Sequence, residues 1–207
     1  MIIGIDLAWT TDLTAMTCLF PPLTPEDTWK ALMFFWAPDG KVDEIARRTR
    51  MNLRLWIQQG FMTCVPGAAM DVRLIEEKVK WAAGIFEVAE VTFDPYGMLQ
   101  IGGNLVDAGY TCVSVRQGYL SFSVPTKKFL ELYANKKLEH CNNPILNWNA
   151  SCLALMSDGA DNIKPAKPER DKSTKRIDGC SAIITALSRA MVLADELSSP
   201  SLGMIIL

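Results

Sequence analysis

A single histidine, His140, is all the imidazole this 207-residue chain contains, and that scarcity removes whole classes of chemistry. Triads that relay protons through histidine, and zinc sites of the Cys2His2 type, need more than one lone ring. Six cysteines, Cys18, Cys64, Cys112, Cys141, Cys152 and Cys180, are widely spaced and include no CxxC pair. They read as small buried hydrophobes of a reducing compartment, not as a disulfide framework. No apolar run approaches the roughly 18 residues of a spanning helix. The N-terminus lacks the basic and apolar regions of a secretory signal, and internal repeats and low-complexity segments are missing too. The expectation is a cytoplasmic protein with no membrane partner. An excess of one charge is also lacking: the net charge of −2 excludes a strongly basic scaffold, although a local basic patch is invisible in that total. If the chain is an enzyme, its chemistry rests on carboxylates.

What is present fits one well-buried domain over residues 1–207, with 49% hydrophobic and 21% charged residues. Residues 2–8, 13–20 and 28–37 read as strands joined by short connections, hence as antiparallel neighbours. A helix is expected over 42–58, and a second opens at Asp71 as its N-cap. "EVTFDPYG" reads as a buried strand stopped by Asp94-Pro95. A helix over 97–109 and a fifth strand, "YTCVSV", follow it, and a strand–helix–strand crossover implies parallel pairing. Further helices are expected near 125–136 and over 177–197, with a loop or hairpin at 157–176. The fold class is therefore α/β, a mixed five-stranded sheet of three antiparallel strands and then two parallel ones, flanked by helices.

An aspartate inside the opening apolar strand raises the question of function. Ile2, Ile3, Ile5 and Leu7 surround Asp6, and a buried carboxylate is costly unless paired, hydrogen-bonded or bound to a metal. Asp94 ends a strand that should lie beside the first, and Asp178 starts the last helix, followed by the small residues Gly179, Cys180, Ser181 and Ala182. Each has an ordinary role available: Asp94 as a turn residue, Asp178 as a helix cap, Asp12 as an Asx-turn. In an open sheet, however, functional groups collect outside the carboxyl ends of adjacent strands. Three carboxylates gathered there repel one another unless a cation neutralises them, and an all-oxygen site suits Mg²⁺ or Mn²⁺.

The stretches "GIDLAWTTDLTA", "FDPYGMLQ", "NPILNWNAS" and "DKSTKRIDGCSAIITAL" resemble the nuclease domain of the large terminase subunit of tailed bacteriophages, of the RNase H-like superfamily. The similarity runs from Gly4 to about Leu187. It implies an RNase H-like fold and a metal-dependent endonuclease that cuts concatemeric phage DNA during packaging. The family's catalytic and metal-binding aspartates fall on Asp6, Asp94 and Asp178, and an assisting acidic residue falls on Asp12. The resemblance also implies double-stranded DNA, an ATPase motor domain, a small terminase subunit and a portal as partners, in the cytoplasm of a bacterial host. No GxxxxGK[ST] phosphate loop occurs in these residues, "DGKV" at 39–42 being only a fragment of one, so ATP-driven translocation is not assigned to them.

Two Mg²⁺ or Mn²⁺ ions held by the three aspartates support in-line hydrolysis, one activating water and the other stabilising the leaving 3′ oxygen. Lys175, three residues before Asp178, is a candidate to reach a phosphate, whereas His140 reads as a satisfied polar residue at a helix approach. The stretch "KPAKPERDKSTKR" supplies Lys167, Arg170, Lys172, Lys175 and Arg176 as candidate nucleic-acid contacts. Positive charge beside an acidic cluster offsets its repulsion of phosphates. The opening words also fit the phosphate-binding hairpin of actin-like ATPases, but Ala8-Trp9 stands where that class wants glycine. A resolvase- or transposase-type nuclease, or a non-cutting DNA-binding module, shares the carboxylates. The words around Asp94 and Asp178 favour the terminase resemblance.

Overall fold

The computed structural model of the chain describes residues 1–9, 12–24, 26–167 and 174–198. Strands β1 (Ile2–Asp6), β2 (Thr14–Phe20) and β3 (Trp29–Pro38) come first, then α1 (Asp39–Thr49), α2 (Leu53–Gln58), β4 (Thr63–Val65) and α3 (Arg73–Ala83). Next, β5 (Glu90–Phe93) enters a helical run of α4 (Pro95–Gly97), a π-helical segment Met98–Gly102 and α5 (Gly103–Asp107), and β6 (Cys112–Ser114) follows. The remainder is α6 (Tyr119–Ala134), β7 (Leu138–Glu139), α7 (Pro144–Cys152), the hairpin β8 (Ala154–Ser157) and β9 (Ile163–Ala166), and α8 (Asp178–Ser198). Among these helices none is long and apolar enough to cross a membrane.

The sheet runs β4-β3-β2-β1-β5-β6. β1, β2 and β3 are antiparallel, while β5 lies parallel to β1 and β6 parallel to β5. Those are the five strands expected from sequence. Two short strands extend the sheet beyond them: β4 and β7 both pair in parallel with β3, at opposite ends of it. At three and two residues they are too short to show an alternating pattern.

Side-chain alternation divides β1 between two cores. Ile2 packs with α1, α6, α7 and α8 on one face, whereas Ile3 and Ile5 pack with α3 and the helices after β5 on the other. With a period of two, Gly4 and Asp6 share the face of Ile2, beneath α8. The same count on β5 sets Val91 and Phe93 in the second core and turns Glu90, Thr92 and Asp94 towards α8. Arg189 of α8 confirms this by gripping Glu90 with two bonds of 2.7 Å. The helix crosses β1 so closely that a Cβ on Gly4 would lie 2.2 Å from the Ala182 carbonyl oxygen and 2.9 Å from the Ala186 Cβ.

Several expected elements differ in extent. The single helix over 42–58 is broken, because Arg50 takes a left-handed conformation (φ 58°) between α1 and α2. Asp71 does bond the N–H of Arg73 at 3.1 Å, but it stands outside the first helical residue. The helix expected near 125–136 starts earlier, at Tyr119, and contains Pro125; burial of Phe122 and the bond from the Ile163 N–H to Ser123 Oγ outweigh the proline's missing donor. Helix α7 reads from sequence only as a helix approached at His140, with no bounds; Asn143 caps it through Ile145 and Leu146, with Pro144 in its first turn. The hairpin lies partly in the 157–176 stretch but begins at Ala154.

Candidate active site

Asp6 is the last residue of β1, Asp94 directly follows β5, and Asp178 opens α8. Parallel pairing of Ile5 with Phe93 sets the next residues, Asp6 and Asp94, side by side at the carboxyl edge. The close crossing of α8 over β1 then lays Asp178 above them. Electrostatics registers the convergence. Burial raises the Asp6 carboxyl well above the usual range, and the charges of Asp178 and Asp94 push it in the same direction, with Lys167 opposing. Asp178 is pushed up to about 7, chiefly by burial and then by Asp12, against Lys167 and Arg176. It is only 5% exposed, and its Oδ2 is buried with no hydrogen-bond partner among the described residues.

Local structure fixes each member. The Gly97 N–H donates to Asp94 Oδ1 at 2.7 Å, and a Cβ on Gly97 would crowd that oxygen at 3.1 Å. Asp12 sits in the β1–β2 loop, which Thr14 ties back to Ala8 through its hydroxyl, accepting from the Ala8 N–H and donating to the Ala8 carbonyl. Both Asp12 oxygens are engaged, Oδ2 by Lys167 Nζ and Oδ1 by Arg176 Nε, each at 2.6 Å. Beside the edge, Trp9 and Tyr96 meet edge to face with ring centroids 6.4 Å apart.

The basic candidates separate on inspection. Lys167 is half-buried against Asp12, and Lys175 is exposed in the segment leading to α8. Arg176 turns inward: its side chain is 2% exposed, and it pairs with Asp12 while Nη1 donates to the Lys175 carbonyl. It is placed to neutralise the acidic site from beneath, not to present a surface cation. Arg170 and Lys172 lie outside the described residues. His140 lies in the turn before α7, away from the acidic edge, but it is not the satisfied residue expected: its buried Nδ1 has no hydrogen-bond partner among the described residues, and burial lowers the pKa of the ring.

One residue in the site had no role read from sequence. Asn149 of α7 is fully buried, donates from Nδ2 to the Arg176 carbonyl at 3.1 Å and accepts the Gly179 N–H at 2.8 Å. It clamps the backbone on both sides of Asp178. A Cβ on Gly179 would lie 2.8 Å from the Asn149 oxygen and from Phe35 Cζ, so glycine is what permits the clamp to close. The available signal was an asparagine among the apolar positions of "NPILNWNAS".

The donor set is all carboxylate oxygen, the chemistry of hard divalent cations. Among the described residues no three acidic side chains are drawn together into a ready-made cage. The aspartates share an electrostatic neighbourhood, with Asp12 held by two cations and Asp94 by a backbone amide. The orphaned Asp178 oxygen and the mutual repulsion fit a cation that would bind there.

Comparison with known proteins accords with this geometry. The family described as the terminase large subunit, endonuclease domain, matches residues 1–194. The chain is 29% identical over 202 residues to the protein YmfN of Escherichia coli K12, covering 94% of this chain and 44% of YmfN. It is 24% identical over 189 residues to the terminase large subunit of Enterobacteria phage HK97, covering 90% and 36%. It thus spans less than half the length of these relatives. The crystal structure of the HK97 large terminase superposes with a TM-score of 0.79 at 24% identity, over 90% of this chain and 38% of that one. The large terminase nuclease of thermophilic phage G20c gives 0.53 at 11% identity, over 91% and 81%. Those likenesses establish the fold, the RNase H-like arrangement of terminase nucleases. By the match across nearly its whole length, the chain belongs to the endonuclease domain family of the terminase large subunit.

Proposed function

We propose that this nuclease domain is a divalent-metal-dependent endodeoxyribonuclease that cuts concatemeric viral DNA during packaging, with residues 1–207 as one catalytic unit. The observation that carries the reading is that Asp6, Asp94 and Asp178, from two strands and a helix, lie near enough at one sheet edge for the charges of Asp178 and Asp94 to raise the Asp6 carboxyl. These three would hold two Mg²⁺ or Mn²⁺ ions, which supply Lewis-acid activation of water and neutralise charge at the scissile phosphate. Asp12 assists from the β1–β2 loop, its charge balanced by Lys167 and Arg176. Lys167 and Lys175, with Arg170 and Lys172 of the same stretch, lower the cost of bringing a polyanion to an acidic edge. Phosphate contacts carry no sequence information, which suits a cut placed by the progress of filling. Double-stranded DNA is the substrate. The ATPase domain, small subunit and portal are the partners, and the host cytoplasm is the setting.

The test is nicking of supercoiled plasmid by the purified chain in Mn²⁺, with Asp6→Ala, Asp94→Ala and Asp178→Ala as controls. Each substitution should abolish cleavage and leave the fold intact; full activity in any of the three would overturn the assignment. Lys167→Ala should flatten the salt dependence of DNA binding by up to about 0.9 in log–log slope.

A further inference from the structure

Between the β8–β9 hairpin and the first turns of α6 and α8 lies a cleft of about 720 Å³ that opens at one end beside Asp12. That volume is within the range of small-molecule sites. Its floor is apolar, resting on Phe122 and Ile177, with Met156 half-exposed at the rim. Ser181 and the paired Asp12 and Lys167 line it too, and two further polar groups stand over the floor. Gln117, in the segment before α6, carries a buried Nε2 with no hydrogen-bond partner among the described residues. Lys164, on β9, holds its ammonium 4.6 Å from the centre of the Tyr119 ring and makes no ion pair among the described residues. A buried amide donor without a partner is costly until an acceptor arrives, and an apolar floor wants a flat, weakly hydrated surface.

We propose that this cleft seats one unpaired deoxynucleotide of the strand being cut. The base would lie against the apolar floor and accept from Gln117, while its phosphate would meet Lys164. Because Asp12 lines the cleft, a nucleotide held there would lie beside the candidate site and fix the register of the neighbouring phosphodiester. A base paired in a duplex cannot enter without leaving its stack, so the seat selects for locally opened DNA. This inference rests on the reading of DNA as substrate. It adds a base-contacting subsite to a site whose other contacts are to phosphate.

The experiment is fluorescence anisotropy of a labelled short oligothymidylate with the full chain in EDTA, where nothing is cleaved. An oligonucleotide of equal length carrying abasic sites is the comparison. The expected result is binding about tenfold tighter for the base-bearing strand. Gln117→Leu should remove most of that difference and leave the abasic strand unaffected, a pattern that general loss of structure does not produce. Lys164→Gln should weaken both strands. In the unaltered chain, hydrogen exchange at the amides around Phe122 and Lys164 should slow when oligothymidylate is added. Equal affinity for the two strands, or a Gln117→Leu variant that keeps the difference, overturns the seat and leaves the nuclease reading standing. No binding of either strand by the unaltered chain likewise overturns the seat, whereas the nuclease reading is decided separately by nicking of supercoiled plasmid in Mn²⁺.

Discussion

Gly4→Ala tests the joint on which the candidate site depends. The added Cβ would sit 2.2 Å from the Ala182 carbonyl oxygen and 2.9 Å from Ala186 Cβ, whereas ordinary contact begins near 3.4 Å. Backbone of a helix cannot rotate out of the way as a side-chain tip can, so α8 and β1 must part by about 1 Å or bend. Overpacking of this kind costs typically about 1–3 kcal/mol, and a clash with backbone belongs at the upper end. For a chain of this size, about 3 kcal/mol lowers the melting temperature by roughly 6–12 °C. The same displacement carries Asp178 away from Asp6, so the Mn²⁺ concentration for half-maximal nicking should rise along with the loss of stability. Gly103→Ala is the internal control: it is helical, its added Cβ meets nothing within 4 Å, and it should be neutral or slightly stabilising. Melting in EDTA and a Mn²⁺ titration of nicking measure the two effects. A Gly4→Ala protein within about 0.5 kcal/mol of the parent would refute the tight crossing.

Two further outcomes are expected. The raised Asp6 and Asp178 carboxyls keep protons in the folded state that the unfolded chain has already released. The metal-free fold should therefore lose stability as pH rises from the ordinary carboxylate range, near 4, to about 7. Asp178→Asn should flatten that decline in melting scans, and a melting temperature that climbs through the window in both proteins contradicts the assignment. Asn149→Ala strips partners from the Arg176 carbonyl and the Gly179 N–H, which should cost about 2–4 kcal/mol and raise the metal requirement. Unchanged metal dependence at reduced stability would leave Asn149 a packing residue only.

The parts legible in the sequence obeyed local rules. β1 announced itself by β-branched residues around Asp6, β5 by the stop at Pro95, and α8 by small residues after Asp178. The pairing of β1 with β5 followed from crossover handedness, which needs no side-chain detail. What stayed hidden depended on tertiary contacts. β4 and β7 exist because β3 is long enough to template a short partner at each end, not because of their own three or two residues. Arg50 has no glycine or asparagine to advertise its left-handed turn. The Asn149 clamp joins groups about 30 residues apart, and the Asp12–Arg176 pair spans most of the chain. A stretch rich in lysine and arginine reads as surface charge, and only the fold showed that Arg176 points inward.

The placement of the three aspartates also governs when the site comes into being. Asp6 belongs to the central strand, Asp94 follows its parallel neighbour, and Asp178 begins the helix that packs across both. No contiguous segment carries two of them, so an isolated hairpin or an unfinished sheet lacks the candidate site. At ordinary rates of synthesis, Asp178 leaves the ribosome on the order of ten seconds or more after Asp6. During that interval β1 must wait with its α8-facing side uncovered, Gly4 bare and Ile2 exposed. Closing of α8 therefore buries the core and brings Asp178 to Asp6 and Asp94 in one event, so folding and assembly of the candidate site are a single step.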